Sequence, residues 1–251
     1  MIPEALLPPG LSEAAALGLI ATAFGTSGFT AAFGIGGGVI LLALLATLIP
    51  PAALIPVHGL VQFGSNVGRA SILLPRVIRA AIPPFLAGSL LGAVAGGAVA
   101  VRLPPAGVQI GVGLFILWSV FFTPPAIFRR FGALTGAVST VLTMFFGATG
   151  PFVAAYVKTL TTDREVHVAT HAAMMTAQHL LKTLAFGVLG FAFGPWLPLT
   201  LAMIAAGFLG TLAGRQVLAR LGDRRFYRAL DAILILLALR LIWQGGRTLL
   251  G

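Results

Sequence analysis

Long apolar runs dominate the chain, and short clusters of Pro, Gly and Arg divide them. A helix that spans a bilayer needs about 20 mostly apolar residues. Runs suited to that role lie at 12–33, 52–74, 80–101, 106–123, 131–147, 165–192, 196–218 and 227–246. Two shorter runs, 39–49 and 151–160, each follow a glycine-rich break. The breaks read Gly34-Ile35-Gly36-Gly37-Gly38 and Gly147-Ala148-Thr149-Gly150-Pro151. Glycine frees the backbone to turn, and Pro151 suits the first turn of a helix. Irregular backbone at membrane depth is tolerated only where protein or a water-filled cavity satisfies it. The two breaks are therefore expected to line something. The pattern predicts an all-α membrane protein forming a single transmembrane domain over 1–251.

Composition agrees. Of 251 residues, 58% are hydrophobic and 9% are charged, against about 25% charged in a soluble domain; the mean hydropathy is +1.03. So few charges cannot cover a water-facing surface, and the lipid bilayer is the expected partner. The net charge of +10 would point to nucleic acid in a soluble protein. Here the basic residues sit between apolar runs, as the positive-inside bias requires, so no nucleic-acid partner is expected. There is no cysteine, which excludes disulfides and thiol chemistry. Four histidines without cysteine argue against a structural zinc site, and neither a metal nor a cofactor is expected. Met1-Ile2-Pro3-Glu4 lacks the basic start of a signal peptide, so the first apolar run is read as part of the mature protein.

The two halves resemble one another. At an offset of 113, Gly34 matches Gly147, Gly37 matches Gly150 and His58 matches His171. The same offset pairs Asn66 with His179 and Arg69 with Lys182. At an offset of 118, Gly92 matches Gly210, Gly96 matches Gly214 and Arg102 matches Arg220. The rare polar residues are the stronger part of this agreement. Two repeats follow, about 12–123 and 131–247. Small residues four apart, at 92/96 and 210/214, suit close helix packing.

Charge decides how each repeat crosses the membrane. If the broken segments span, with the N-terminus outside, eight basic residues lie inside (Arg102, Lys158, Arg164, Arg215, Arg220, Arg224, Arg225, Arg228) and five outside (Arg76, Arg79, Arg129, Arg130, Arg247). If each broken segment is a re-entrant hairpin returning to its own side, eleven lie inside and only Arg102 and Arg247 outside. Glu4 and Glu13 also fall outside. The second arrangement obeys the positive-inside rule better. It gives inverted repeats, each a hairpin plus three transmembrane helices, a common transporter plan. The 12–33 run is long for half a hairpin, so its first turns are placed at the interface.

Polar side chains concentrate in the second element of each repeat. His58, Gln62, Ser65, Asn66 and Arg69 fall within an arc of about 100° on a helix of 3.6 residues per turn. His171, Gln178, His179 and Lys182 form the same stripe, joined by His167 one turn earlier. A cation at the bilayer centre costs about 2.5–3.5 kcal/mol on insertion scales, so such residues face a protein interior or a water-filled site. Arg69 and Lys182 taken singly would also suit snorkelling to a headgroup region. A repeated one-sided stripe with matched histidines favours a binding site. No acidic residue joins either stripe, which disfavours a cation substrate. Cations with His and amides suit an anion. The half-helices after the breaks add their N-terminal N–H groups, here from Gly36, Gly37, Gly38 and Gly150, with the Thr149 hydroxyl beside them. Histidine titrates near neutral pH, so His58, His171 and His179 are candidates for proton coupling, and neutral hydrogen-bonding rings fit equally well.

With these residues in view, the chain resembles the TauE/SafE family, also called the sulfite exporter or DUF81 family, over nearly its whole length. The signature stands as Gly34-Ile35-Gly36-Gly37-Gly38 and, in shorter form, as Gly147-Ala148-Thr149-Gly150-Pro151. Two features depart from it: no proline follows the first glycine run within Val39–Leu44, and Thr149 stands where Gly is frequent. The resemblance implies a multi-pass protein of the bacterial cytoplasmic (inner) membrane. It also implies transport of small sulfur-containing or carboxylate anions such as sulfite, sulfoacetate or thiosulfate. A homodimer is one assembly open to such a protein.

The expected function is a secondary transporter of small anions, with His58, Gln62, Asn66, Arg69, His171, Gln178, His179 and Lys182 around the substrate. An anion channel of the same architecture is the nearest rival. An intramembrane enzyme would need a nucleophile–base pair or a metal set, and the chain contains no HExxH, no GxSxG and no cysteine.

Overall fold

A computed structural model describes residues 7–33, 36–100, 104–123, 125–217 and 224–250. Glu4, Gly34, Ile35, Arg102, Arg220 and Asp223 lie outside the described residues. Among the described residues ten α-helices follow the apolar runs: α1 Glu13–Phe33, α2 Gly37–Leu48, α3 Pro51–Ile72, α4 Ile82–Ala100, α5 Pro105–Phe121, α6 Gly132–Phe146, α7 Gly150–Leu160, α8 Arg164–Val188, α9 Leu197–Val217 and α10 Arg224–Leu250. Among the described residues there is no strand.

Local chemistry sets the ends. Pro51 and Pro105 open α3 and α5, where a missing N–H costs nothing. Asp163 caps α8 by accepting from the Val166 N–H at 2.9 Å, a bond worth about 1 kcal/mol. The 165–192 run stops as helix at Val188 because Gly190 turns the chain at φ +92°. The first break is shorter than its glycine string, since Gly37 and Gly38 already form the opening turn of α2.

Each break brings the short helix after it into contact with the helix before it. Gly37, at the start of α2, lies against the Thr26 carbonyl, more than a turn back from the end of α1. Tyr156 of α7 lies against Gly132, the first residue of α6. Gly36 and Gly147 make the turns at φ +106° and +83°, a region open to glycine and strained for other residues.

Glycine contacts also fix helix directions. Along α1 and α9, Ala23 meets Gly207, Phe24 meets Gly210 and Gly28 meets Gly214, so the pair runs parallel. Along α4 and α6, Gly88 meets Ala133, Gly92 meets Ala137 and Gly96 meets Val141, again parallel. By contrast α5 and α10 run antiparallel, with Gly113 against Ala238 and Gly245 against Ala106. So do α3 and α8, with Gly59 against Lys182 and Leu73 against Val168.

The short helices are wrapped by the long ones. Leu41, Leu42 and Leu45 of α2 are buried against Leu19, Leu54, Val112, Ile116 and Leu241. Val153 and Val157 of α7 are buried with Phe85 and Met174. Apolar side chains elsewhere turn outward: Leu91 and Val94 of α4 are each 70% exposed. Among the described residues, three helical segments, Glu13–Phe33, Arg79–Val99 and Gly194–Gln216, are long and apolar enough to cross a membrane. Helices Gly37–Leu48, Pro105–Phe121 and Gly132–Phe146 are apolar but shorter. The outward apolar surface and these helices are those of a multi-pass membrane protein.

Candidate functional site

The polar stripes of α3 and α8 face each other across the centre of the molecule, because the two helices cross antiparallel near Gly59 and Lys182. The two breaks come in beside them. His58 donates Nε2–H to the Gly38 carbonyl at 3.0 Å, and His171 donates to the Gly150 carbonyl at 3.2 Å. Each break is therefore pinned at the level of the middle turns of the neighbouring long helix.

A cavity lies between them, with about 380 Å³ of empty space including its mouth. Helix α3 contributes His58, Gln62, Asn66 and Arg69 to the wall, and α8 contributes His171, Met175 and His179. The breaks contribute Gly36, Gly38, Ala148, Gly150 and Pro151. The N-terminal ends of α2 and α7 thus both meet the cavity, and among the described residues no acidic one lines it.

Arg69 is 3% exposed. Its Nη1 donates to Asn66 Oδ1 at 3.0 Å and its Nη2 reaches Ser65 Oγ at 3.5 Å, while Nε is buried without a partner. The Asn66 amide is itself oriented by donating to the Gln62 carbonyl at 2.8 Å and to Gln62 Oε1 at 3.2 Å. Ser65 also pairs with Ser27 Oγ at 2.9 Å, tying α3 to α1.

The remaining predicted residues stand behind the wall. Lys182 is fully buried; its Nζ donates to the Gly147 carbonyl at 3.0 Å and to Thr143 Oγ1 at 3.3 Å. Gln178 accepts from Thr149 Oγ1 at 3.0 Å and donates to Ser139 at 2.7 Å and Thr140 at 3.1 Å. Gly37 is held against α1. His167 stacks on His171 with ring centroids 6.3 Å apart and does not line the cavity.

Sequence reasoning missed the hydroxyls of α1 and α6. Thr30 lines the cavity, and Ser139, Thr140 and Thr143 bind the α8 side chains. The signal was present: at the same offset of 113, Thr22, Thr26, Ser27 and Thr30 match Thr135, Ser139, Thr140 and Thr143.

The family profile described as Sulfite exporter TauE/SafE matches residues 19–241. The chain belongs to this family of membrane transporters. Comparisons with curated proteins and with solved structures find no match.

Proposed function

We propose that the protein is a secondary transporter of small oxyanions, sulfite or organosulfonates or related sulfur-containing anions, and that the central cavity is its binding site. One observation carries the reading. A buried guanidinium with an unpartnered Nε–H lines a cavity that meets two helix N-termini and, among the described residues, is lined by no carboxylate. Anions are favoured at helix N-termini, and burial strengthens each such contact. His58, Gln62, Asn66, Arg69, His171, His179, Gly36, Gly38 and Gly150 serve as direct ligands. Gly37, Thr149, Gln178 and Lys182 support them from behind. The name of the anion rests on family membership alone.

We further propose that repeats 12–123 and 131–247 are inverted copies, each a re-entrant hairpin plus three spanning helices. The helix directions support this: parallel α1/α9 and α4/α6 together with antiparallel α3/α8 and α5/α10 suit a reversal at each break. Spanning breaks would make all four pairs parallel. The hairpins are lopsided, since α1 at 21 residues is ~32 Å long against ~18 Å for α2.

Proton coupling fits the same wall. The Gly38 carbonyl holds Nε2 of His58 as the N–H, so a second proton must enter at Nδ1, which is buried without a partner. Protonated His58 adds positive charge to a wall that binds an anion, which links the two in this proposal.

Purified protein in proteoliposomes, loaded in turn with sulfite, sulfate, thiosulfate and sulfonates, tests the reading. Counterflow of at least one anion is expected, with a pH gradient altering the flux. Arg69→Ala should weaken binding by roughly 10- to 100-fold, the worth of a charged hydrogen bond. Transport by that variant at the normal rate would remove Arg69 from the site. Flux without counterflow would point to a channel.

A further inference from the structure

The cavity is asymmetric in a way that the matched sequence positions are not. Arg69 and Thr30 line it, while Lys182 and Thr143, their partners at the offset of 113, do not. In place of an open wall, the second half has a closed knot. Thr143 Oγ1 donates to the Gly147 carbonyl at 2.7 Å, and Lys182 Nζ donates to both. The carbonyl belongs to the glycine that turns the second break.

We propose that Lys182 is the plug of a second half-site, equivalent to the open one beside Arg69, and that its release from Gly147 opens the cavity toward the opposite membrane face. The inference rests on the transport reading and adds which residue holds the present conformer. It also gives Lys182 a second role. Once free of Gly147, the ammonium faces the anion as Arg69 does here, while Arg69 is free to close on its own half.

Directionality supports the assignment. Helices α3 and α8 cross antiparallel with Lys182 packed on Gly59, so Arg69 lies toward the end of α3 while Lys182, level with Gly59, lies toward the end of α8. The two cations therefore lie toward opposite ends of the helix pair, with Lys182 beside the His58–His179 contact, whose ring centroids are 5.9 Å apart. The open half lies on the Arg69 side. Among the described residues this buried ammonium has no acidic partner and is held by these two oxygens, so the contact is strong when made and costly to lose.

The natural chain has no cysteine, which makes single-cysteine reporters clean. Met175→Cys reports the open half, and Leu42→Cys, packed on Gly147, reports the closed half. The measurement is the labelling rate by a small anionic methanethiosulfonate in nanodiscs. In the otherwise native chain, Met175→Cys should label at least tenfold faster than Leu42→Cys. Adding Lys182→Met should raise the Leu42→Cys rate about tenfold, whereas adding Arg69→Met should leave it unchanged. An unchanged rate with Lys182→Met in a monodisperse protein overturns the proposal. If Lys182→Met does not fold, Thr143→Ala tests the same knot, with a rise of about threefold expected and no rise counting against it. A rise with Lys182→Met in a protein that transports no anion would uphold the plug and sink the transport reading.

Discussion

Arg69 and Lys182 occupy matched positions yet meet different neighbours. Arg69 is braced by Asn66 and Ser65 from its own helix, while Lys182 reaches across to Thr143 and Gly147. The stripes themselves were legible in the sequence, because a helix period sorts polar residues onto one face before any packing is known. The hydroxyls at 26, 27 and 30 were not read, because Ser and Thr in apolar helices commonly bond their own preceding carbonyls. Thr26 and Thr30 do bond back in this way, to Thr22 and Thr26. The second role of Ser27 and Thr30, pairing with Ser65 and lining the cavity, depends on which helix lies opposite. At the second break, Gly147 combines positive φ with contact, since a Cβ there would sit 2.7 Å from Leu42. Gly147→Ala should therefore cost about 1–3 kcal/mol, read as a fall in the thermal midpoint. An unshifted midpoint would refute the turn geometry.

Helices pair here through backbone rather than through large side chains. A methyl group at Gly136 would run into the Phe85 carbonyl, and one at Gly210 into the Phe24 carbonyl. Small residues permit such approach in lipid, where apolar side chains gain nothing by leaving their solvent. The spacing of Gly92/Gly96 and Gly210/Gly214 announced close packing, but not the partners. Those are α6 for the first pair and α1 for the second, so the helix before each glycine break is clamped to a helix from the other half of the chain. Gly136→Val should destabilise by roughly 1–3 kcal/mol through overpacking. Gly25→Ala offers the contrast, because a Cβ there meets nothing within 4 Å, and relief of a helix glycine should be neutral or stabilise by up to about 1 kcal/mol. Thermal midpoints in one detergent would check both, and equal effects from the two substitutions would refute the packing.

Across the whole molecule, the helix directions gather charge at one end. The α3–α4 turn carries Arg76, which pairs with Glu165 at the start of α8 at 3.4 Å. Arg164, at the start of α8 on that same side, reaches in to donate to the Ala32 carbonyl near the end of α1. Lys158 ends α7 there as well. Cysteines introduced near Arg76 and Arg130 should react only from the cytoplasm, and one at Glu13 only from outside. Labelling near Arg76 from outside would overturn the proposed orientation. Composition alone determined that the chain is a membrane protein, since 9% charged residues cannot cover a surface in water. Periodicity determined the helices and the polar stripes, because both depend on neighbours within a few turns. The tertiary structure decided which helices pair and in which direction. It also decided that Arg69 lines the cavity while Lys182 is tied behind it. Those outcomes depend on contacts between residues far apart in the chain, such as Lys182 with Gly147 and Gly28 with Gly214, which spacing along the sequence does not encode.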